Sequence, residues 1–340
     1  MKRTVALIAI LIFALSACTA KQPGDARPSA EQALSSLTPA PVGEGMSPGD
    51  TAQSVDTAQS VDTALTGDAF AFTLENMPVI DGSTATIPLI GAVYAVLLGL
   101  PRSEADAMVS TSGTDNAFRQ LVDGNADILL VYAPSPYSVS YARHQAVEME
   151  MTPIGRDGLV FLVNQRNPVQ TLTPEQIVSI YAGETRNWTE AGGSDAKIKA
   201  YQRPPRSGSQ TMMDDLVMKG VPMMATESSY VIAEMGGLIE VIAAFDNAES
   251  SIGYNVYYFV SQMERNDKVR MLDVGGVSPS TESISDGSYP FVSDFYAVIR
   301  KNAPQGSPER ILYEWMQSEG GQDLVRHEGY AAAAHPAERQ

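Results

Sequence analysis

The chain has 340 residues, with 23 Lys and Arg against 40 Asp and Glu, a formal charge of −17 and one cysteine. The acidic balance argues against nucleic acid or an anionic membrane face as a partner, and a single cysteine excludes an internal disulfide. His144, His327 and His335 are scattered, and no Cys or His cluster has the spacing of zinc ligands, so neither a metal nor a cofactor is expected.

In chain order, Lys2 and Arg3 precede an apolar run from Val5 to Leu15, followed by Ser16-Ala17-Cys18. This is the pattern of a secretory signal, too short for a membrane span. Small residues before Cys18 resemble the bacterial lipobox, in which the cysteine becomes the lipidated first residue of the mature protein. A signal peptide over 1–18 and a lipid anchor at Cys18 are therefore expected, placing the protein at the cell membrane on its extracytoplasmic side. Residues 19–69 are rich in Ala, Ser, Thr, Pro, Gly, Asp and Gln, and they repeat Thr51-Ala52-Gln53-Ser54-Val55-Asp56 directly at Thr57 to Asp62. Such a stretch has too few large apolar residues to form a core and reads as a disordered tether.

The rest is long enough for one large or two ordinary domains. An alternating apolar segment from Phe70 to Val79 reads as a strand, Asp81 to Pro88 as a hydroxyl-rich turn, and Leu89 to Leu98 as a helix. A second polar turn, Thr111-Ser112-Gly113-Thr114, leads into a helix through Leu121 and a strand over Ile128 to Val131. Leu159 to Val163 reads as a strand, Thr173 to Tyr181 as a helix with Pro174 in its first turn, and Ile198 to Tyr201 as another strand. Alternating strands and helices predict an α/β architecture.

After that last strand stands Arg203-Pro204-Pro205-Arg206-Ser207-Gly208-Ser209-Gln210-Thr211, ahead of a helix-like run from Met212 to Met218. Two guanidinium groups, hydroxyls and a glycine at a helix start suit a bound oxyanion. The plainer alternative is that Ser207 or Ser209 only caps the helix while both arginines are solvated. Loops at 82–86, 111–114 and 203–211 all lead from strand ends into helices, where ligands lie in open α/β sheets. Together they could supply a tetrahedral anion with donors. Trp188 and the methionines Met212, Met213, Met218, Met223 and Met224 read as packing residues.

The motifs resemble the PstS family, the phosphate-binding proteins of bacterial phosphate ABC transporters, over about residues 74–331. Asp81-Gly82-Ser83-Thr84 resembles the family's first phosphate loop, and Leu172 to Ile177 through Tyr181 to Trp188 its signature helix and turn. Arg203 with Ser207-Gly208-Ser209 resembles its phosphate clamp, Ser251-Ile252-Gly253-Tyr254 its segment near the return crossover, and Tyr289-Pro290 with Val292 to Ile299 its late strand.

The resemblance implies a class II periplasmic-binding-protein fold: two α/β lobes joined by two crossover segments, 70–156 with 257–333 and 157–256, with the ligand in the interlobe cleft. It also implies a binding protein rather than an enzyme, a monomer that captures inorganic phosphate and passes it to permease subunits. Arg203 is then the charged contact. Ser207, Gly208 and Ser209 complete the clamp. Ser83, Thr84 and Thr86 compete for the first-lobe roles, and Thr114 is preferred to Ser112 for the second hydroxyl. Arg206 is expected at the rim. The family's carboxylate after the next strand, which accepts a hydrogen bond from protonated phosphate and so helps exclude sulfate, has no counterpart in Val131-Tyr132-Ala133-Pro134, so Tyr132 is the candidate there. Asp81 and Asp115 are alternatives that also read as turn or capping residues. Another oxyanion such as sulfate or molybdate, a phosphate-sensing surface protein, and a hydrolase built on Ser207 are the competing functions.

Overall fold

Ten strands and ten α-helices alternate along residues 70–333, the part of the chain that the computed structural model describes. The expected signal peptide, Cys18, the tether over 19–69 and His335 lie outside the described residues. The strands are β1 (Ile80–Gly82), β2 (Ile128–Tyr132), β3 (Met149–Asn164), β4 (Thr171–Leu172), β5 (Lys199–Ala200), β6 (Ser251–Val256), β7 (Val269–Met271), β8 (Asp273–Val274), β9 (Val292–Arg300) and β10 (Ala331–Ala332). The helices are α1 (Ile87–Leu98), α2 (Arg102–Ala107), α3 (Thr114–Asp123), α4 (Pro136–His144), α5 (Pro174–Ala182), α6 (Gly208–Met212), α7 (Met235–Ala243), α8 (Thr281–Ser285), α9 (Pro308–Trp315) and α10 (Glu319–His327).

The main sheet runs β1-β2-β9-β3-β6-β5, with β7 and β10 also paired to β3, while β4 and β8 form a separate parallel pair. The central strand β3 is 16 residues long. Its first part pairs antiparallel with β9 from Met149↔Arg300 to Gly158↔Val292. From Leu159 onward it pairs with β6, and from Leu162 with β7. Its two parts therefore serve two groups of strands, β1, β2, β9 and β10 on one side and β5, β6 and β7 on the other. The register shifts between Pro153 and Gly155. A Cβ at Gly155 would lie 2.3 Å from the Phe295 ring, so the strand can pack there only without a side chain.

Every residue of β2 and every residue of β3 from Asp157 to Asn164 is buried, consistent with continuous apolar runs for strands covered on both faces. The late strand over Val292 to Ile299 is present as β9 and the signature helix as α5. Thr173 accepts from the Gln176 N–H and the Gln176 side chain returns to the Thr173 N–H, a capping box, with Pro174 at the first helical position. Trp188 is fully buried and donates to the Ser250 carbonyl at 3.1 Å. Met212, Met213 and Met218 are buried, with Met223 and Met224 packed against the core.

Three element expectations are corrected. The strand expected over Phe70 to Val79 is confined to Ile80–Gly82, because Thr73 to Met77 closes into a turn held by Asn76 and Pro78 offers no N–H. The strand at Ile198 to Tyr201 shrinks to Lys199–Ala200. The helix expected from Met212 begins at Gly208 and continues as π-helix over Met213–Met218 until Lys219 turns left-handed, φ 46°.

Candidate functional site

The loops that follow β1, precede α3 and join β5 to α6 meet around one cleft of about 390 Å³. Ser83, Thr84, Ser112, Thr114, Tyr132, Arg203, Ser207, Gly208 and Ser209 all line it. The three loops that were separate in sequence thus share one space.

On the first wall, the Ser83 and Thr114 hydroxyls lie 2.9 Å apart, and the Tyr132 N–H donates to Ser83 Oγ at 3.2 Å. Asp81 ties the first two loops together: one carboxylate oxygen accepts from the N–H groups of Gly82 and Ser112, the other from the Ser112 hydroxyl. Asp81 is therefore a turn residue, as the plainer alternative held. Thr84 opens the 3₁₀ turn Thr84–Thr86 at the cleft floor, and Thr114 opens α3 behind Gly113, φ 82°. The N–H groups of that first turn point toward the cleft end of the helix.

Two first-wall expectations change. Thr86 does not line the cleft; it is fully buried, and its hydroxyl donates to the Leu130 carbonyl at 2.6 Å and the Ser83 carbonyl at 2.8 Å. Its role is to fasten the turn to β2. Tyr132 lines the cleft, but its hydroxyl turns away and donates to Asp157 Oδ2 at 2.6 Å, so it is not the acceptor sought on β2. Asp157 also accepts from the Gly158 and Tyr258 N–H groups. Burial pushes its carboxyl up to about 6 despite those donors, and burial with the neighbouring carboxylate raises the Tyr132 hydroxyl well above its usual value.

The second wall carries the charge. Arg203 is only 6% exposed and makes no ion pair among the described residues. Its Nε donates to Ser209 Oγ at 3.2 Å and its Nη1 to the Ile232 carbonyl at 2.8 Å, which fixes the plane of the guanidinium. Burial holds its pKa below the usual arginine value, an effect opposed by Tyr254 and Glu234. Ser207 caps α6 by accepting from the Gln210 N–H at 3.3 Å. The capping alternative is thus realised for Ser207 within the same loop that presents Arg203 to the cleft.

Gly208 stands where the two walls approach. A Cβ there would lie 2.6 Å from Thr114 Oγ1, a contact that side chains essentially never make. Arg206, expected at the rim, is 57% exposed and lies over the Tyr137 ring at 4.7 Å from its centroid, with its Nε 3.9 Å from Asp115 Oδ2.

Sequence reasoning gave no positioning role to Tyr254, which is fully buried on β6. Its hydroxyl accepts from the Arg203 N–H at 2.9 Å and donates to Gln210 Oε1, joining the arginine loop to α6. Its place in Ser251-Ile252-Gly253-Tyr254 was the available signal. Asp115 is more than a turn residue. Its Oδ1 accepts from the hydroxyls of Ser135 and Ser138, whereas its buried Oδ2 has no hydrogen-bond donor among the described residues.

The sequence profile described as PBP superfamily domain matches residues 71–318. Among curated proteins, the phosphate-binding protein PstS of Borreliella burgdorferi is 23% identical over 270 residues, covering 75% of this chain and 90% of that one. PstS of Bacillus subtilis is 24% identical over 257 residues, covering 74% and 79%. Among solved structures, a putative phosphate ABC transporter substrate-binding protein from Clostridium perfringens superposes with a TM-score of 0.56 at 21% identity, over 75% of this chain and 99% of the other. An ABC-type phosphate transport receptor from Vibrio cholerae gives 0.54 at 22%, over 75% and 100%. The fold is that of periplasmic binding proteins, a mixed α/β arrangement around a central sheet. By its match over most of its length, this chain belongs to the PBP superfamily.

Proposed function

We propose that this protein is a lipid-anchored extracytoplasmic receptor that captures inorganic phosphate and delivers it to an ABC permease. The observation that carries the reading is Arg203, a buried guanidinium with hydrogen bonds but no ion pair among the described residues. A buried charge is costly without a counter-charge. An anion in the cleft supplies one, and the hydroxyls of Ser83, Thr84, Thr114, Ser207 and Ser209 with the Gly208 N–H offer its remaining oxygens donors, while the Ser112 hydroxyl stays on Asp81. The names of the relatives support phosphate as that anion and a transporter as its destination.

In this reading residues 70–156 with 257–333 form one lobe and 157–256 the other. The boundaries fall inside β3, between Arg156 and Asp157, and at the end of β6 after Val256. The ligand stabilises a closed arrangement by touching both, the differential binding that any such switch needs. No bond is made or broken.

Asp115 favours phosphate over sulfate. Its Oδ2 is an acceptor at the cleft, and an acceptor is matched by a ligand that carries a proton. Monohydrogen phosphate carries one at neutral pH and sulfate does not. Asp115 therefore takes the place of the carboxylate missing after β2.

Calorimetric titration with phosphate, sulfate and molybdate tests the whole reading. Wild type should bind phosphate tightest, and Arg203→Ala should lose about 1.5–3 kcal/mol, the range for a hydrogen bond to a charged group. Asp115→Asn should narrow the preference for phosphate over sulfate by about tenfold, equivalent to about 1.4 kcal/mol. Efficient displacement of phosphate by sulfate in wild type would remove phosphate as the ligand, and an unchanged Arg203→Ala titration would remove Arg203 from the site.

A further inference from the structure

We propose that Arg206 is a clasp across the mouth of the cleft, a positioning residue that slows release of the bound anion without touching it. Arg206 belongs to the arginine wall, yet both of its side-chain partners belong to the opposite one. Its guanidinium lies 4.7 Å from the centroid of Tyr137, in the first turn of α4, and its Nε lies 3.9 Å from Asp115 Oδ2, in the first turn of α3. Those partners form a single platform, because Asp115 Oδ1 accepts from Ser135 at 2.6 Å and from Ser138 at 2.7 Å, both beside Tyr137.

The backbone supports the same assignment. The Ser207 N–H donates to the Pro204 carbonyl at 3.2 Å, closing a turn in which Arg206 is the third residue, with φ 73°. A turn with positive φ at that position ordinarily takes glycine or asparagine. An arginine held there is strained, and strain of this kind persists where the surroundings over-determine it, at ligand clamps among other sites. The turn aims Arg206 over the platform while Arg203, at the start of the same segment, is held inside the cleft. One five-residue stretch thus divides two tasks between two arginines.

The inference rests on the anion-receptor reading, and its test separates the two. In the full-length protein, phosphate association and dissociation are followed by stopped flow for wild type, Arg206→Gly, Arg206→Lys, Tyr137→Ala and the Arg206→Gly/Tyr137→Ala double variant. Glycine suits the turn, so Arg206→Gly removes the side chain without disturbing the backbone. Dissociation should quicken about three- to tenfold in Arg206→Gly and in Tyr137→Ala, the scale of one exposed cation–π contact with a weak ion pair. Association should change by less than about twofold. Arg206→Lys should be intermediate, since it keeps charge and loses the planar stack. The double variant should be no faster than the faster single one. An unchanged dissociation rate, additive single effects, or a loss confined to a salt-sensitive association rate would overturn the clasp. If wild type takes up no phosphate, the receptor reading fails. Small-angle scattering of the ligand-free proteins still reads the clasp: Arg206→Gly should be more expanded than wild type, and identical radii of gyration would sink it.

Discussion

On the wall built from the β1 and α3 loops, the polar groups largely satisfy one another: Asp81 holds Ser112, Ser83 meets Thr114, and Tyr132 is anchored on Asp157. On the wall built from residues 203–209, Arg203 is oriented by Ser209 and the Ile232 carbonyl but makes no ion pair among the described residues. The contrast assigns different work to each wall. The first is shaped before a ligand arrives and sets geometry. The second holds the buried guanidinium on which the proposed anion capture rests. The backing differs in the same way, since Tyr132 donates to a titratable carboxylate and Tyr254 to the neutral amide of Gln210.

The largest expected effect probes this difference in backing. Burial pushes the Asp157 carboxyl up to about 6 from its ordinary 3.8, so between about pH 4 and 6 the folded state holds a proton that the unfolded chain releases. The stabilisation linked to that proton is complete below pH 4, is lost as pH rises to 6, and is flat above. Relative to Asp157→Asn, wild type should lose on the order of 3 kcal/mol across this window in chemical denaturation. Parallel stability curves would show that the first wall is no more titratable than the second.

A smaller effect probes the approach of the walls. Gly208→Ala places a methyl 2.6 Å from where Thr114 Oγ1 now lies, so closure must give way. Phosphate affinity should fall by about 1–3 kcal/mol, the cost of overpacking. Wild-type affinity in this variant would mean that the walls need not come so close when ligand is bound.

The smallest concerns the second wall's support. Tyr254→Phe leaves the Arg203 N–H without its acceptor and Gln210 without its donor, at a cost of about 1–2 kcal/mol in stability. Because neither of these contacts is made by a carboxylate, although Gln210 also donates to Asp214, that loss should differ less between pH 4 and pH 7 than the Asp157→Asn comparison does. Denaturation at the two pH values checks it.

Much of the fold could be read along the chain, because α5 announces itself through Thr173, Pro174 and Gln176, and β2 through an unbroken apolar run. The first part of β3 was not legible. Its residues up to Pro153 are only partly buried and include a proline at a register shift, so neither alternation nor a continuous apolar run marks them. At the cleft, the three loops could be named from their hydroxyls and glycines, but the direction of each side chain could not. Thr84 and Thr86 are two residues apart in one turn, and only the Leu130 carbonyl, 44 positions away, decides that Thr86 is spent on the backbone. The directions of Tyr132 and Asp115 were hidden for the same reason, since the partners that claim them, Asp157, Ser135 and Ser138, lie elsewhere in the chain.

The unbroken course of β3 has a mechanical consequence. Its ladder passes from β9 to β6 with no unpaired residue between Gly158 and Leu159. A molecule that opens and shuts about such an element flexes a shared beam, and has no free pivot there. The travel is then limited by how far a hydrogen-bonded ribbon will twist, and the Gly155 notch, where the Phe295 ring fills the space of a missing side chain, is the place where that beam is thinnest.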